Sequence, residues 1–266
     1  MNDESLEIRL KALRTPLEGV SNIVKFNWPF YLVSAGVLIA CRVVIQLIPT
    51  FFLAPVGIIV VLITTWFVIS LLVSFIVYDL SDLYKFRWLQ EAVKVPPVQI
   101  LNIHAGFDET SKGLQLLFPE AKIESFDFYS TDRTSEPSIA RARAAAIKTD
   151  SGDIAAIQPV SVDISGWKLE NDCQDLVLLF MSAHELRKPA DREVLFREVH
   201  RVLKPDGELI VVEHVRDVAN FIAFGPGFMH FYPRSEWLRL AEVCNFRLRE
   251  EKTIEILVRV FYLCKR

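Results

Sequence analysis

The side chains with most chemical potential in this chain stand where apolar runs stop. The segment "DLVLLFMSAHELR" carries such a run into Ser182, His184, Glu185 and Arg187, and "GELIVVEHVR" carries another into Glu213 and His214. Imidazole titrates near neutral pH, so His184 is the first candidate for a general base and Glu185 the second. Arg187 offers a planar fork that suits an anionic substrate group or anchors Glu185 by an ion pair. His214 and the later His230 can join the same site. His184, Glu185, Glu213, His214 and His230 are also donors of the kind that hold Zn, Fe or Mn. Their spacing matches no dedicated metal motif, so the expectation is a site without metal. The bland alternative for His184 is a strand-end histidine bonded to a backbone carbonyl.

A third chemical stretch is "ILNIHAGFDETS", residues 100–111, which has the outline of a strand, a nucleotide-binding turn and a helix. It holds one glycine, Gly106, where such turns hold two or three. Asp127 follows Gly106 by 21 residues, close to the roughly 20 expected for an acid that bonds ribose hydroxyls. Ligands of open α/β sheets bind beyond the carboxyl ends of the strands, where the strand order reverses. The elements that must deliver these residues are therefore parallel strands with crossover helices. Short apolar runs alternating with helical stretches predict strands at 98–103, 122–128, 158–162, 175–181 and 208–214, then an adjacent pair at 246–252 and 254–263. Ser135 can cap a helix over "EPSIARARAAAIK", Pro189 stands where another begins, and "PDG" at 205–207 forces a turn into the fifth strand. The fold class is α/β, a seven-stranded sheet with flanking helices. "EHVRDVANFIAFGPGFMHFYPRSEW", 213–237, is long for a connection and reads as an aromatic lid over an apolar substrate.

The 266 residues are 52% hydrophobic, and the excess is concentrated between Phe26 and Tyr78. From Phe51 to Tyr78 the chain runs 28 residues without a charge, more than the ~20 needed to cross a bilayer core. Phe26 to Ile48 is similar but carries Arg42 and Gln46 near its far end, and it reads as a second span. The expected organisation is an amphipathic segment at 1–25, a transmembrane hairpin at 26–78, a linker helix covering the ligand site at 79–97, and the sheet domain at 98–266. The amphipathic segment suits a helix lying on the membrane surface, or one packed on the sheet domain. Basic residues flank both ends of the hairpin and are missing from its turn, which places both ends and the sheet domain in the cytoplasm. Small residues Ser34, Ala35, Gly36 and Ala40 allow hairpins to associate as a homo-oligomer. A net charge of −3 without a basic block makes nucleic acid an unexpected partner. The four cysteines are scattered and read as reduced thiols.

The order of these pieces, and above all "DLVLLFMSAHELR" followed by "FREVHRVLKPDGELIVVEH", resembles the class I S-adenosylmethionine-dependent methyltransferases, in the branch that modifies small molecules, quinones and lipids. "YDLSDLYKFRWL", 78–89, is similar to the segment that closes over the cofactor in that branch. The resemblance implies a Rossmann-like fold holding S-adenosyl-L-methionine, with Asp127 on the ribose, Phe128 beside it and Asp163 near the adenine amine. It also implies cofactor contacts from His104, Gly106, Asp108 and Ser182, with Asp108 or Glu109 pairing the methionyl amine and Ser111 or the helix amides the carboxylate. The sequence departs from the family's Asp-x-Gly-x-Gly-x-Gly turn, since Asn102, His104 and Asp108 replace the acid and two glycines. The expected function is a membrane-anchored methyltransferase acting on a lipophilic small molecule. The alternative is a membrane scaffold or sensor that keeps the fold without turnover.

Overall fold

β-Branched residues and leucines in nearly continuous buried runs build the centre of the sheet. In the computed structural model, residues 3–47, 49, 53–130, 139–141, 143–144 and 157–266 are described. The strands are β1 (Gln99–His104), β2 (Lys122–Asp127), β3 (Val160–Ser161), β4 (Gln174–Phe180), β5 (Leu203–His214), β6 (Phe246–Ile254) and β7 (Val258–Lys265). They form one seven-stranded sheet in the order β3-β2-β1-β4-β5-β7-β6. The first five run parallel, and β7 is antiparallel to both β5 and β6. The order reverses between β1 and β4, so a crevice opens beyond their carboxyl ends. The turn expected at "PDG" is instead a bulge within one strand: Gln174 pairs with Leu203 and Leu176 with Glu208, leaving 204–207 looped out.

Both faces are covered, which explains why β4 is apolar almost throughout. On one face Leu101, Ile103, Val177, Leu179 and Val211 pack against Leu195, Phe196, Trp237 and Leu240. The helices there are α7 (Pro189–Val202) and α9 (Arg234–Val243), and Pro189 opens the first of them as its residue type favours. On the other face Ile100, Leu176, Leu178 and Val212 pack against Leu83, Phe86, Leu89 and Leu114. Each such side chain contributes about 1.5–3 kcal/mol of burial.

That second face is assembled from the N-terminal part of the chain. α1 (Asp3–Ala12), α2 (Glu18–Phe26), α3 (Trp28–Val44) and α4 (Leu53–Phe75) are followed by a π-helical turn (Ile76–Leu80), a 3-10 turn (Leu83–Lys85) and α5 (Arg87–Ala92). Three short pieces thus stand where a single linker helix is expected, because Ser81 and the left-handed Phe86 interrupt it. Leu6 and Leu10 of α1 are buried in the core with Leu83 and Phe86, so this segment lies on the sheet domain and not on its own amphipathic surface. The amides of Gly19 and Val20 donate to the Asp79 carboxylate at 2.9 and 3.0 Å, which fixes α2 to the π turn.

α4, at 23 residues, is long and apolar enough to cross a membrane, and only 6% of its most apolar window is buried. The second span is not matched in the same way: α3 has 17 residues and reaches span length only together with α2, across a bend of 73°. Part of the expected hairpin turn, and Ser135 with most of the helix it would cap, lie outside the described residues. α6 (Ser111–Leu117) follows β1, and α8 (Val218–Phe224) with a 3-10 turn (Gly225–His230) follows β5.

Candidate active site

β1 and β2 run in register so that Asn102 stands beside Ser125 and His104 beside Asp127. The glycine-poor turn between β1 and α6 is held by side chains. Asp108 accepts the amides of Thr110 and Ser111 at 3.0 Å each and the Asn102 amide at 3.1 Å on Oδ1, and the Ser125 hydroxyl at 2.7 Å on Oδ2. These bonds and the nearby His104 hold its carboxyl below the usual range despite burial. Asp108, expected with Glu109 as an alternative at the methionyl amine, thus shapes the turn and also lines the cavity beside it. Because the Ser125 hydroxyl proton goes to Asp108, its oxygen accepts from His104 Nε2 at 3.1 Å. That fixes the tautomer and leaves His104 Nδ1 as a buried acceptor without a hydrogen-bond partner among the described residues. Burial keeps this imidazole neutral by lowering its pKa. Gly106 has φ +83°, and a Cβ there would come within 3.1 Å of the Arg143 guanidinium and 3.2 Å of Tyr129. The one retained glycine is the one the backbone requires.

Asp127 closes β2, accepts the Tyr129 amide at 2.9 Å and pairs with Arg143, which also lies over the Tyr129 ring. Leu10, Arg14, Tyr84, His104, Gly106, Phe107, Glu109, Asp127 and Arg143 are among the residues lining a cavity of about 360 Å³. Three expected cofactor residues stand outside it. Phe128 points the other way along the strand and is buried in the core with Phe126 and Trp167. Asp163 takes the Ile164 amide at 2.5 Å and gives its carbonyl to the Trp167 indole. Ser182 donates to the Ile103 carbonyl at 3.0 Å and ties β4 to β1 at the switch point.

Beyond β4 a second cavity of about 420 Å³ abuts the first, and Arg14, Tyr84, Phe107 and Glu109 line both. Arg14 lies 3.6 Å above the Tyr84 ring and 3.6 Å from Glu109. Burial pushes the Glu109 carboxyl up, with Arg14 opposing it. The far wall of this cavity is aromatic: Phe30, Tyr31 and Trp66 come from α3 and α4, and Phe224 and Phe231 from the connection after β5. Its polar end is His184, Glu185 and His230. His184 Nδ1 lies 2.5 Å from Glu213, a carboxylate wholly buried beneath it. His184 Nε2 lies 3.3 Å from Glu185, and His230 Nε2 lies 3.4 Å from the same oxygen. Burial would lower the His184 pKa, but Glu213 and Glu185 outweigh it and hold the imidazole up to about 10. The two histidines hold Glu185 well below the ordinary carboxylate range against the opposing effect of burial.

Among the described residues Arg187 does not pair with Glu185, and it is not among those that line the cavity. It donates to the His230 carbonyl at 2.8 Å and lies beside Tyr232, so it pins the turn that carries His230. His214 has both nitrogens engaged: Nδ1 donates to Asn220 at 3.0 Å and to the Leu257 carbonyl at 3.1 Å, and Nε2 accepts the Tyr78 hydroxyl at 2.7 Å. It lines the second cavity together with Tyr78. Burial drives its pKa down to about 4. Sequence reasoning missed Trp66 and Arg14 as cavity residues, because an apolar span and a basic flank account for both without a site; Tyr78 opens the segment expected to close over the cofactor and lines the second cavity.

Residues 117–211 match the model of a family described as a methyltransferase domain. A solved SAM-dependent methyltransferase from Aquifex aeolicus superposes with a TM-score of 0.51 at 16% identity, over 74% of this chain and 97% of that one. A SAM-dependent methyltransferase from Methanosarcina mazei gives 0.46 at 18% identity, over 67% and 97%. A Pyrococcus horikoshii protein gives 0.46 at 18% identity, over 67% and 86%. No curated protein matches the sequence.

Proposed function

We propose that this chain, which carries a methyltransferase domain on the class I fold, moves a methyl group from S-adenosylmethionine to a lipophilic acceptor met at a membrane. The observation that carries the reading is the second cavity: His184 and Glu185 stand at one end, and Trp66 and Ser70 of the apolar α4 stand in its wall. A cavity walled by the helix that suits a bilayer favours an acceptor dissolved in that bilayer, which meets the site at high effective concentration. Basic residues on either side of the apolar segments favour a cytoplasmic sheet domain.

The first cavity fits the cofactor on two features. A Cβ at Gly106 would fill space beside Arg143 and Tyr129, and His104 Nδ1 is a buried acceptor awaiting a donor. Asp127 would take the ribose hydroxyls, His104 a donor of the ribose or the methionyl amine, and Glu109 the ammonium at the junction of the cavities. When bound, S-adenosylmethionine supplies a methyl carbon activated by a sulfonium. Displacement is in line, so the chain contributes alignment and, for an oxygen or nitrogen acceptor, a place for the departing proton. Tyr84 and Phe107 at the junction exclude water. Glu213 fixes the charged His184 ring, and the Glu185 carboxylate beside it at the cavity end is the group that would receive the proton.

The test is methyl-labelled S-adenosylmethionine with the full chain in lipid nanodiscs doped with membrane lipid extracts. Label is expected in an organic-soluble product. Cofactor binding without label transfer from any extract would instead support the non-catalytic scaffold.

A further inference from the structure

We propose that His184, Glu185 and His230 form a binding site for one divalent transition-metal ion at the polar end of the acceptor cavity. One donor atom from each lies within 4.8 Å of the others. The Glu185 oxygen stands 3.3 Å from His184 Nε2 and 3.4 Å from His230 Nε2. A tetrahedral centre with bonds of ~2.1 Å has edges of about 3.4 Å, so both separations are those of adjacent ligands around one ion.

Three independent features point the same way. Glu185 is 5% exposed, and its second oxygen, Oε2, is buried with no hydrogen-bond partner among the described residues. His184 Nδ1 rests on the buried Glu213 carboxylate at 2.5 Å, the outer carboxylate that orients a ligating imidazole, so that Nε2 faces Glu185 and becomes a ligand when the ion displaces its proton. Arg187 turns its guanidinium to the carbonyls of His184 and His230 and to His230 Nδ1 at 3.4 Å, not to Glu185, and so fixes the turn and the ring that present His230 Nε2 to the site. Among the described residues the ion-pair partners of Glu185 and Glu213 are histidines alone. Two imidazoles and one carboxylate suit Zn, Fe, Co or Mn, and the fourth position faces the cavity. On the methyltransferase reading, that position would take the acceptor's oxygen and orient it. The binding itself does not depend on that reading.

The test is cobalt(II) titration of the chelator-stripped, untagged full chain in detergent, followed by visible d–d absorption and by metal analysis. One equivalent with tetrahedral intensity is expected, displaced by zinc. His230→Ala and Glu185→Gln should abolish the signal, and Glu213→Gln should weaken binding about 10–100-fold. Circular dichroism and the thermal midpoint of each variant check that it is folded, and His230→Gln replaces any variant that is not. The absence of d–d bands in the parent protein, or bands unchanged in His230→Ala, overturns the site. Metal binding without any methyl transfer would leave the site standing and remove only the function proposed above.

Discussion

Single residues carry the adaptation of the eroded turn. Gly106→Ala places a side chain at φ +83° within 3.1 Å of Arg143, and a left-handed backbone costs a non-glycine residue roughly 1–2 kcal/mol. Calorimetry against S-adenosylhomocysteine should show affinity lowered about tenfold or more, and unchanged affinity would mean that the turn does not touch the ligand. His214 gives a second test. It is neutral in the folded protein with a pKa near 4, against 6.5 when unfolded, with Tyr78, Asp217 and His184 as its polar surroundings. Below pH 6.5 the unfolded chain therefore binds the extra proton, and the His214 contribution to stability falls as pH drops from 6.5 towards 4, by up to ~3 kcal/mol; above 6.5 that contribution is flat, and His184, held charged in the fold, makes stability fall as pH rises towards 10. Urea midpoints measured through that window should slope less in His214→Gln than in the parent. The buried, depressed His104 and His200 leave a residual slope in both. Equal slopes would show that His214 is already charged in the fold.

At the scale of elements, the N-terminal helices help to build the site. Asp79 holds the first amides of α2 at 2.9 and 3.0 Å, a capping role worth about 1 kcal/mol. Asp79→Ala should lower stability by about that amount and speed amide exchange over residues 18–26 while sparing exchange in the sheet; protection unchanged there would mean that α2 is held by packing alone. Gly225, at φ +54°, approaches α4 so closely that a Cβ would lie 2.6 Å from the Trp66 ring. Gly225→Ala should push the 3-10 turn off α4, reducing turnover severalfold with cofactor affinity intact, and a parallel loss of both would place the defect elsewhere. Much of the sheet was legible because buried parallel strands write continuous apolar runs, and 246–263 divides cleanly into β6 and β7. The bulge at 204–207 was not, since Pro-Asp-Gly marks a chain reversal and a looped-out strand alike. Nor was the role of Ser182 or Asp108: a polar residue after a strand looks the same whether it faces a ligand or tethers the backbone. Phe128 differs from Tyr129 only by one step of the period-two alternation, which sends the first into the core and the second beside Arg143.

For the molecule as a whole, the feature that bears most on the proposed acceptor is that one helix has two faces. α4 exposes Val61, Leu62 and Val68 outward while Trp66 and Ser70 line the acceptor cavity. α8 and the turn beside it continue the apolar surface through Val218, Phe221, Ile222 and Met229, which are 74, 50, 54 and 55% exposed. An acceptor that reaches the cavity from within a bilayer is diluted by lipid and not by water. The rate of methyl transfer should therefore follow the mole fraction of acceptor in the vesicle and stay constant when more of the same vesicles are diluted into buffer at fixed enzyme-to-lipid ratio. A rate that follows bulk acceptor concentration at constant mole fraction would show entry from the aqueous side and detach the substrate from the membrane. The same series with Trp66→Ala separates wall from anchor: the variant should remain with the vesicles and keep its cofactor affinity, yet lose its preference among acceptors of different apolar length, because only the cavity has changed.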